Sequence, residues 1–178
     1  MGEWVIEPAT IEFLPDILQI EEACFSAPWT RKMLQAELSG NPFAHFLVAK
    51  QLLQGEKGSS SIVGYLCFWV VFEEVRLMNL AVIESMRHKG IARALVLQAL
   101  DVGLAQAARC AVLEMRASNH AAHELYRSLG FHDVTTRPTY YTNPIEDALL
   151  MELDPIVSEP GRLTDEVGCE GGRLRPLQ

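Results

Sequence analysis

A single stretch, Leu77 to Ala107, restricts the fold more than any other part of the chain. Leu77-Met-Asn-Leu-Ala-Val82 closes an apolar strand that begins near Val75, and a helix with apolar residues on one face runs from Ile91 to about Ala107. The connection ends in Arg87-His-Lys-Gly90, a charged loop whose glycine opens the helix. A strand that feeds a helix this way points free backbone N–H groups outward, and with the helix dipole they form an anion site suited to a pyrophosphate. Gly90 allows close approach to the backbone, and the small Ala92 keeps the first turn uncrowded. Arg87, His88, Lys89 and Arg93 add positive charge. No Gly-x-x-x-x-Gly-Lys-Ser/Thr occurs, so a P-loop nucleotidase is unsupported.

Elements follow on both sides. Trp4–Pro8 reads as a short strand, Phe13–Phe25 as a helix with Pro15 near its start, and Thr30 as the N-cap of a second helix ending near Gly40. Phe43–Gln51 and the run from Ile62 to Phe72 read as a hairpin joined by the polar turn Gln54–Ser61. Ala111–Met115 is a strand and Asn119–Leu129 a helix stopped by Gly130. Phe131–Thr136 and Ala148–Leu153 are final strands, joined by a loop containing Tyr140-Tyr141. A helix pair, then strands, then two strand–helix crossovers indicate an α/β or α+β sheet domain. Residues 1–154 form that domain. The tail 155–178, rich in proline and glycine and without an aromatic residue, is expected to be disordered.

Composition removes other functions. With 23 Asp+Glu against 15 Lys+Arg, the formal net charge of −8 gives no support to nucleic-acid binding and suits a cationic peptide. The four cysteines are far apart and form no metal or redox pair, and His120 and His123, three apart on a helix, lack a third ligand. No metal is expected. The longest apolar run is too short to span a bilayer, and Met-Gly-Glu-Trp has no basic leader region, so the cytoplasm is the expected location and no membrane partner is expected.

A second group of residues carries proton chemistry. Glu114 stands in an apolar strand, where a carboxylate is expensive unless paired or functional. Asn119, a natural N-cap, and Tyr126 lie about two turns apart on one helix face and can share a groove.

Taken in order, Asn-Leu-Ala-Val82, Arg87-x-x-Gly-x-Ala92, Leu113-Glu-x-Arg-x-x-Asn119 and Leu125-Tyr-x-x-x-Gly-Phe131 resemble the GNAT acetyltransferase superfamily. Leu113-Glu-Met-Arg-Ala-Ser-Asn-His-Ala-Ala122, Ala27-Pro-Trp29 and Tyr140-Tyr141 before Glu146-Asp-Ala-Leu-Leu-Met151 are similar to its RimI branch, which acetylates the N-terminal alanine of ribosomal protein S18. The resemblance covers about the first 153 residues. It implies a mixed central sheet of about seven strands flanked by about four helices, and acetyl-CoA as co-substrate. It also implies that Leu80, Ala81 and Val82 line the pantetheine and acetyl group. Arg87, His88, Lys89, Gly90, Ile91, Ala92 and Arg93 would hold the pyrophosphate, and Asn119 the pantetheine arm. Glu114 would be the proton acceptor and Tyr126 the proton donor, with Trp29, Tyr140 and Tyr141 at the peptide groove. The partner would be a protein N-terminus. A GNAT acting on a small amine would need a closed acidic pocket, and a silent CoA-binding module would lack Glu114 and Tyr126.

Overall fold

The computed structural model describes residues 4–52 and 60–157. Seven strands and four helices occur in the order β1 (Trp4–Pro8), α1 (Leu14–Cys24), α2 (Arg31–Gly40), β2 (Ala44–Leu52), β3 (Ser60–Val71), β4 (Glu74–Val82), α3 (Ile91–Ala105), β5 (Cys110–Arg116), α4 (His120–Ser128), β6 (His132–Thr142) and β7 (Ile145–Leu153). They make one sheet in the order β1-β2-β3-β4-β5-β7-β6. Adjacent strands are antiparallel except β4 and β5, which α3 connects in parallel.

The local signals operate as the residues suggest. Pro15 sits in the first turn of α1, and the Thr30 hydroxyl accepts from Met33 N at 3.3 Å to cap α2. Gly130, at φ +95, ends α4 in the left-handed conformation. Each face of the sheet has its own core. Ile17 and Ile20 of α1 and Leu34 of α2 pack with Phe46, Val48 and Tyr65 on one face. Leu95, Val96, Ala99 and Leu100 of α3 pack with Leu66, Phe68, Val75 and Leu77 on the other, where Tyr126 and Phe131 join them.

Three expectations change. The final strands are longer than their apolar residues suggest, so Tyr140 and Tyr141 lie within β6 rather than in a loop, and the connection is the turn at Asn143-Pro144. β6 is an edge strand, exposed at all but one position, so it shows no alternation of apolar and polar residues. Pro138 falls in an irregularity between Arg137 and Tyr141, where a missing N–H breaks no central ladder. At the end of the domain, packing continues past Asp154. Ile156 is buried in the α3-side core, and its N–H donates to the Arg109 carbonyl at 2.7 Å. The remainder of the expected tail, 158–178, lies outside the described residues, as does most of the expected Gln54–Ser61 turn, while Ser60 and Ser61 belong to β3.

Candidate active site

The pairing of β4 with β5 runs from Glu74↔Cys110 to Leu77↔Leu113 and stops there. Beyond it, β4 continues beside β3 and β5 beside β7, so the sheet splays. A pocket of about 540 Å³ opens at the splay. Leu77–Leu80 of β4 and Leu113–Arg116 of β5 form its two strand walls, and Ala122 and Tyr126 of α4, with the N-cap Asn119, contribute a third. Phe25–Ala27 and Trp29, between α1 and α2, form a lip, with Tyr141 of β6 also on the wall.

Glu114, Asn119, Tyr126, Leu80, Trp29 and Tyr141 therefore meet in one cavity, as their spacing in the sequence could not by itself establish. Glu114 Oε1 is 2.7 Å from Arg137 Nη1 of β6, with the carboxylate side chain 26% exposed. Tyr140 does not line the pocket, but the neighbouring Glu114 carboxylate is the main cause of a raised Tyr140 hydroxyl pKa. Tyr126 is 6% exposed and packs edge-on to Phe131 at 5.5 Å between centroids. Burial pushes its hydroxyl pKa well above the ordinary tyrosine range, so the group holds its proton throughout neutral pH. Asn119 Oδ1 accepts from Ala122 N at 3.2 Å, so the residue does cap α4. Arg116 stacks on the Tyr141 ring at 4.2 Å and donates to the carbonyls of Asn143 and Pro144, which fixes the β6–β7 turn beside the pocket.

Ala81 and Val82 differ from Leu80. Their side chains are buried in the two cores, which leaves their backbone as the part a ligand can meet. Past Val82, a short 3-10 turn at Glu84–Met86 buries Met86, and Arg87 Nε folds back to the Val82 carbonyl at 3.1 Å. Arg87, His88, Lys89 and Gly90 are exposed, Ala92 and Arg93 half-buried, and the Ile91 side chain is in the core. Gly90 is the N-cap of α3 at φ +80, and no side chain caps the 15-residue helix. A Cβ built at Gly90 would meet nothing within 4 Å. Uncapped helix N–H groups, open space and three exposed basic residues fit the pyrophosphate of acetyl-CoA.

Two parts of the site are invisible in the motifs. Arg137 reaches Glu114 from another strand, and no local spacing announces it. Glu21 does have a sequence signal: with Ile17 and Ile20 it lies on the buried face of α1, an unusual place for a carboxylate. Among the described residues no group of three His, Cys, Asp or Glu could hold a metal ion, and His123 instead meets Asp133 at 2.8 Å. Among the same residues no helix is long and apolar enough to cross a membrane.

This geometry has close counterparts. Residues 14–131 match the acetyltransferase (GNAT) family model. The ribosomal protein bS18-alanine N-acetyltransferase of Escherichia coli is 35% identical over 142 residues, 79% of this chain and 90% of that protein. Its counterpart in Haemophilus ducreyi is 30% identical over 140 residues, covering 77% and 90%. The crystal structure of the ribosomal-protein-S18-alanine N-acetyltransferase from Escherichia coli aligns with a TM-score of 0.75 and 29% identity over 90% of this chain and 99% of that one. Arabidopsis thaliana NAA60 in complex with acetyl-CoA shares the fold, with a TM-score of 0.77 and 18% identity over 85% of this chain and 98% of that one. With its sheet splayed at β4 and β5 and an uncapped glycine-led helix beside the gap, the chain belongs to the GNAT acetyltransferase family.

Proposed function

We propose that the protein transfers an acetyl group from acetyl-CoA to the α-amine of a protein N-terminus, the N-terminal alanine of ribosomal protein S18, in the cytoplasm. The observation that carries this reading is the meeting of Glu114 and Tyr126 on two walls of the splayed pocket. The relatives named for S18 lend the substrate, and a formal net charge of −8 suits a basic partner.

Acetyl-CoA supplies an activated thioester. The acceptor must present a neutral amine, and an α-amine of pKa about 8 is about one-tenth neutral at pH 7, whereas a lysine near 10.4 is neutral less than about one part in a thousand. Glu114 accepts the remaining proton, directly or through water, as the amine attacks the thioester. The edge of β4 beyond Leu77 does not pair with β5, so its N–H groups are placed to stabilise a developing oxyanion. Tyr126, whose hydroxyl keeps its proton at neutral pH, donates to the departing thiolate.

A small polyamine acceptor would need unpaired carboxylates. Among the described residues only two line the pocket, and one of them, Glu21, is wholly engaged by Trp29, Tyr65 and Asn79, which leaves Glu114 alone to meet an amine. Mass spectrometry of a reaction with a peptide beginning Ala-Arg tests the proposal. Acetyl is expected on the α-amine; acetyl found only on lysine side chains or only on small amines would overturn it.

A further inference from the structure

Among the described residues Glu21 is the one charged side chain that is fully buried, at 1% exposure. Its carboxyl accepts from three donors on three separate segments. Oε1 accepts from Trp29 N at 2.7 Å, Oε2 accepts from the Tyr65 hydroxyl of β3, and Asn79 Nδ2 of β4 lies 3.0 Å from each oxygen. Asn79 also donates to the Tyr65 oxygen at 2.9 Å, closing the network.

Stability alone does not account for such a cluster, since a well-packed apolar residue in place of a buried ionic group is often as stable or more so. Position does. Residues 25–30 join α1 to α2 outside any ladder, yet Phe25, Ser26, Ala27 and Trp29 form the lip of the pocket. Ser26 Oγ reaches the Asn143 carbonyl at 3.4 Å in an exposed position. The part-buried bond from Trp29 N to Glu21 holds the other end of the lip. Its far anchor, Asn79, immediately precedes Leu80 on β4, past the last β4–β5 pair.

We infer that Glu21 is a positioning residue for the acceptor: through Trp29, Tyr65 and Asn79 its carboxyl fixes the 25–30 lip against splayed β4, and the lip so held sets acceptor affinity. This rests on the reading that the pocket takes an N-terminal peptide. It assigns Glu21 no proton transfer, because both carboxyl oxygens already accept hydrogen bonds from within the fold.

Three variants test it. Glu21→Leu keeps packing and removes every bond, Glu21→Gln places an amide nitrogen against existing donors, and Tyr65→Phe removes one donor. Both Glu21 variants are expected to raise the KM for the Ala-Arg peptide tenfold or more, with the Kd of acetyl-CoA within twofold of wild type. Hydrogen exchange across residues 25–30 should accelerate. Tyr65→Phe should move KM and exchange in the same direction, threefold or more, and it decides the matter if the Glu21 variants do not fold. Wild-type KM and exchange in folded variants would overturn the inference, as would equal weakening of peptide and acetyl-CoA. Exchange is read without turnover. If the wild type acetylates no peptide while exchange still accelerates in the variants, the substrate reading fails and the tether stands.

Discussion

Gly90 offers a perturbation whose backbone and electrostatic effects can be separated. The residue sits at φ +80, and an added Cβ would touch nothing within 4 Å, so Gly90→Ala introduces backbone strain and no collision. A left-handed non-glycine residue costs about 1–2 kcal/mol, and at about 2–4 °C per kcal/mol for a chain of this size Tm should fall by about 2–8 °C. Gly90→Glu carries the same strain and adds a carboxylate at the helix N-terminus. At about 6 Å from one phosphate charge and an effective dielectric of about 20, repulsion is about 3 kcal/mol, or about 100-fold in Kd. Gly90→Gln, of equal size and no charge, is the reference. Isothermal calorimetry with acetyl-CoA at low salt should show Gly90→Glu binding about 100-fold more weakly than Gly90→Gln, with the gap narrowing as salt screens it. Melting curves would establish that both are folded. Equal affinities for the two folded variants would refute the placement of the pyrophosphate on this loop.

Glu114→Gln keeps size and removes the proton acceptor, so turnover should fall most at low pH and recover in part as pH rises and free amine accumulates; an unchanged pH profile would refute the assignment. Tyr126→Phe should lower turnover by about 10²–10⁴-fold while leaving the calorimetric affinity for acetyl-CoA intact, because a positioned acid contributes on that scale; wild-type turnover would remove Tyr126 as the donor. A chain stopped after Pro155 loses the buried Ile156, worth about 1.5–3 kcal/mol, and its bond to Arg109, so it should melt lower than a chain stopped after Val157, which should match the full-length protein in Tm and turnover.

What could be read from the sequence was local in cause. The left-handed turn at Gly90, the cap at Thr30 and the stop at Gly130 each depend on residues within a few positions, and each is where the residue types place it. The order of motifs carried the family, and the cavity gathers Trp29, Leu80, Glu114, Asn119, Tyr126 and Tyr141, six of the site residues that the resemblance implies. The missed features depend on partners far along the chain. Tyr65 and Asn79 lie 44 and 58 residues from the carboxyl they hold, and Arg137 reaches Glu114 from a strand whose extent was itself obscured by Pro138 and an exposed edge. Ile156 was hidden for another reason. Two apolar residues, Ile156 and Val157, between prolines and charges show no periodicity, so composition assigned them to the tail although the Arg109 carbonyl and the α3-side core receive Ile156.

The pocket owes its existence to one strand pair that ends early, and the reason is visible at the end that stays closed. There α3 lies directly on β4: a Cβ at Gly103 would collide with the Val75 side chain and stand 3.4 Å from Ala108 Cβ, so only glycine admits so close an approach. Val75 lies within the four-residue parallel ladder, and its partner Ala111 is fully buried. At the other end of α3 the chain needs a 3-10 turn, the buried Met86 and the left-handed Gly90 to travel from Val82 to Ile91. Over that distance β4 and β5 have already parted. Tyr126 is buried beside the gap, packed against Phe131 in the α3-side core, and Glu114 is held at it by Arg137. Giving up ladder bonds past Leu77 leaves backbone donors facing a cavity, an arrangement that costs stability in a folded chain. In the proposed reaction the same donors would meet the thioester carbonyl without rearrangement. The packing at Gly103 therefore makes the open end tolerable: by securing the paired half of β4 and β5, it allows the other half to remain a site.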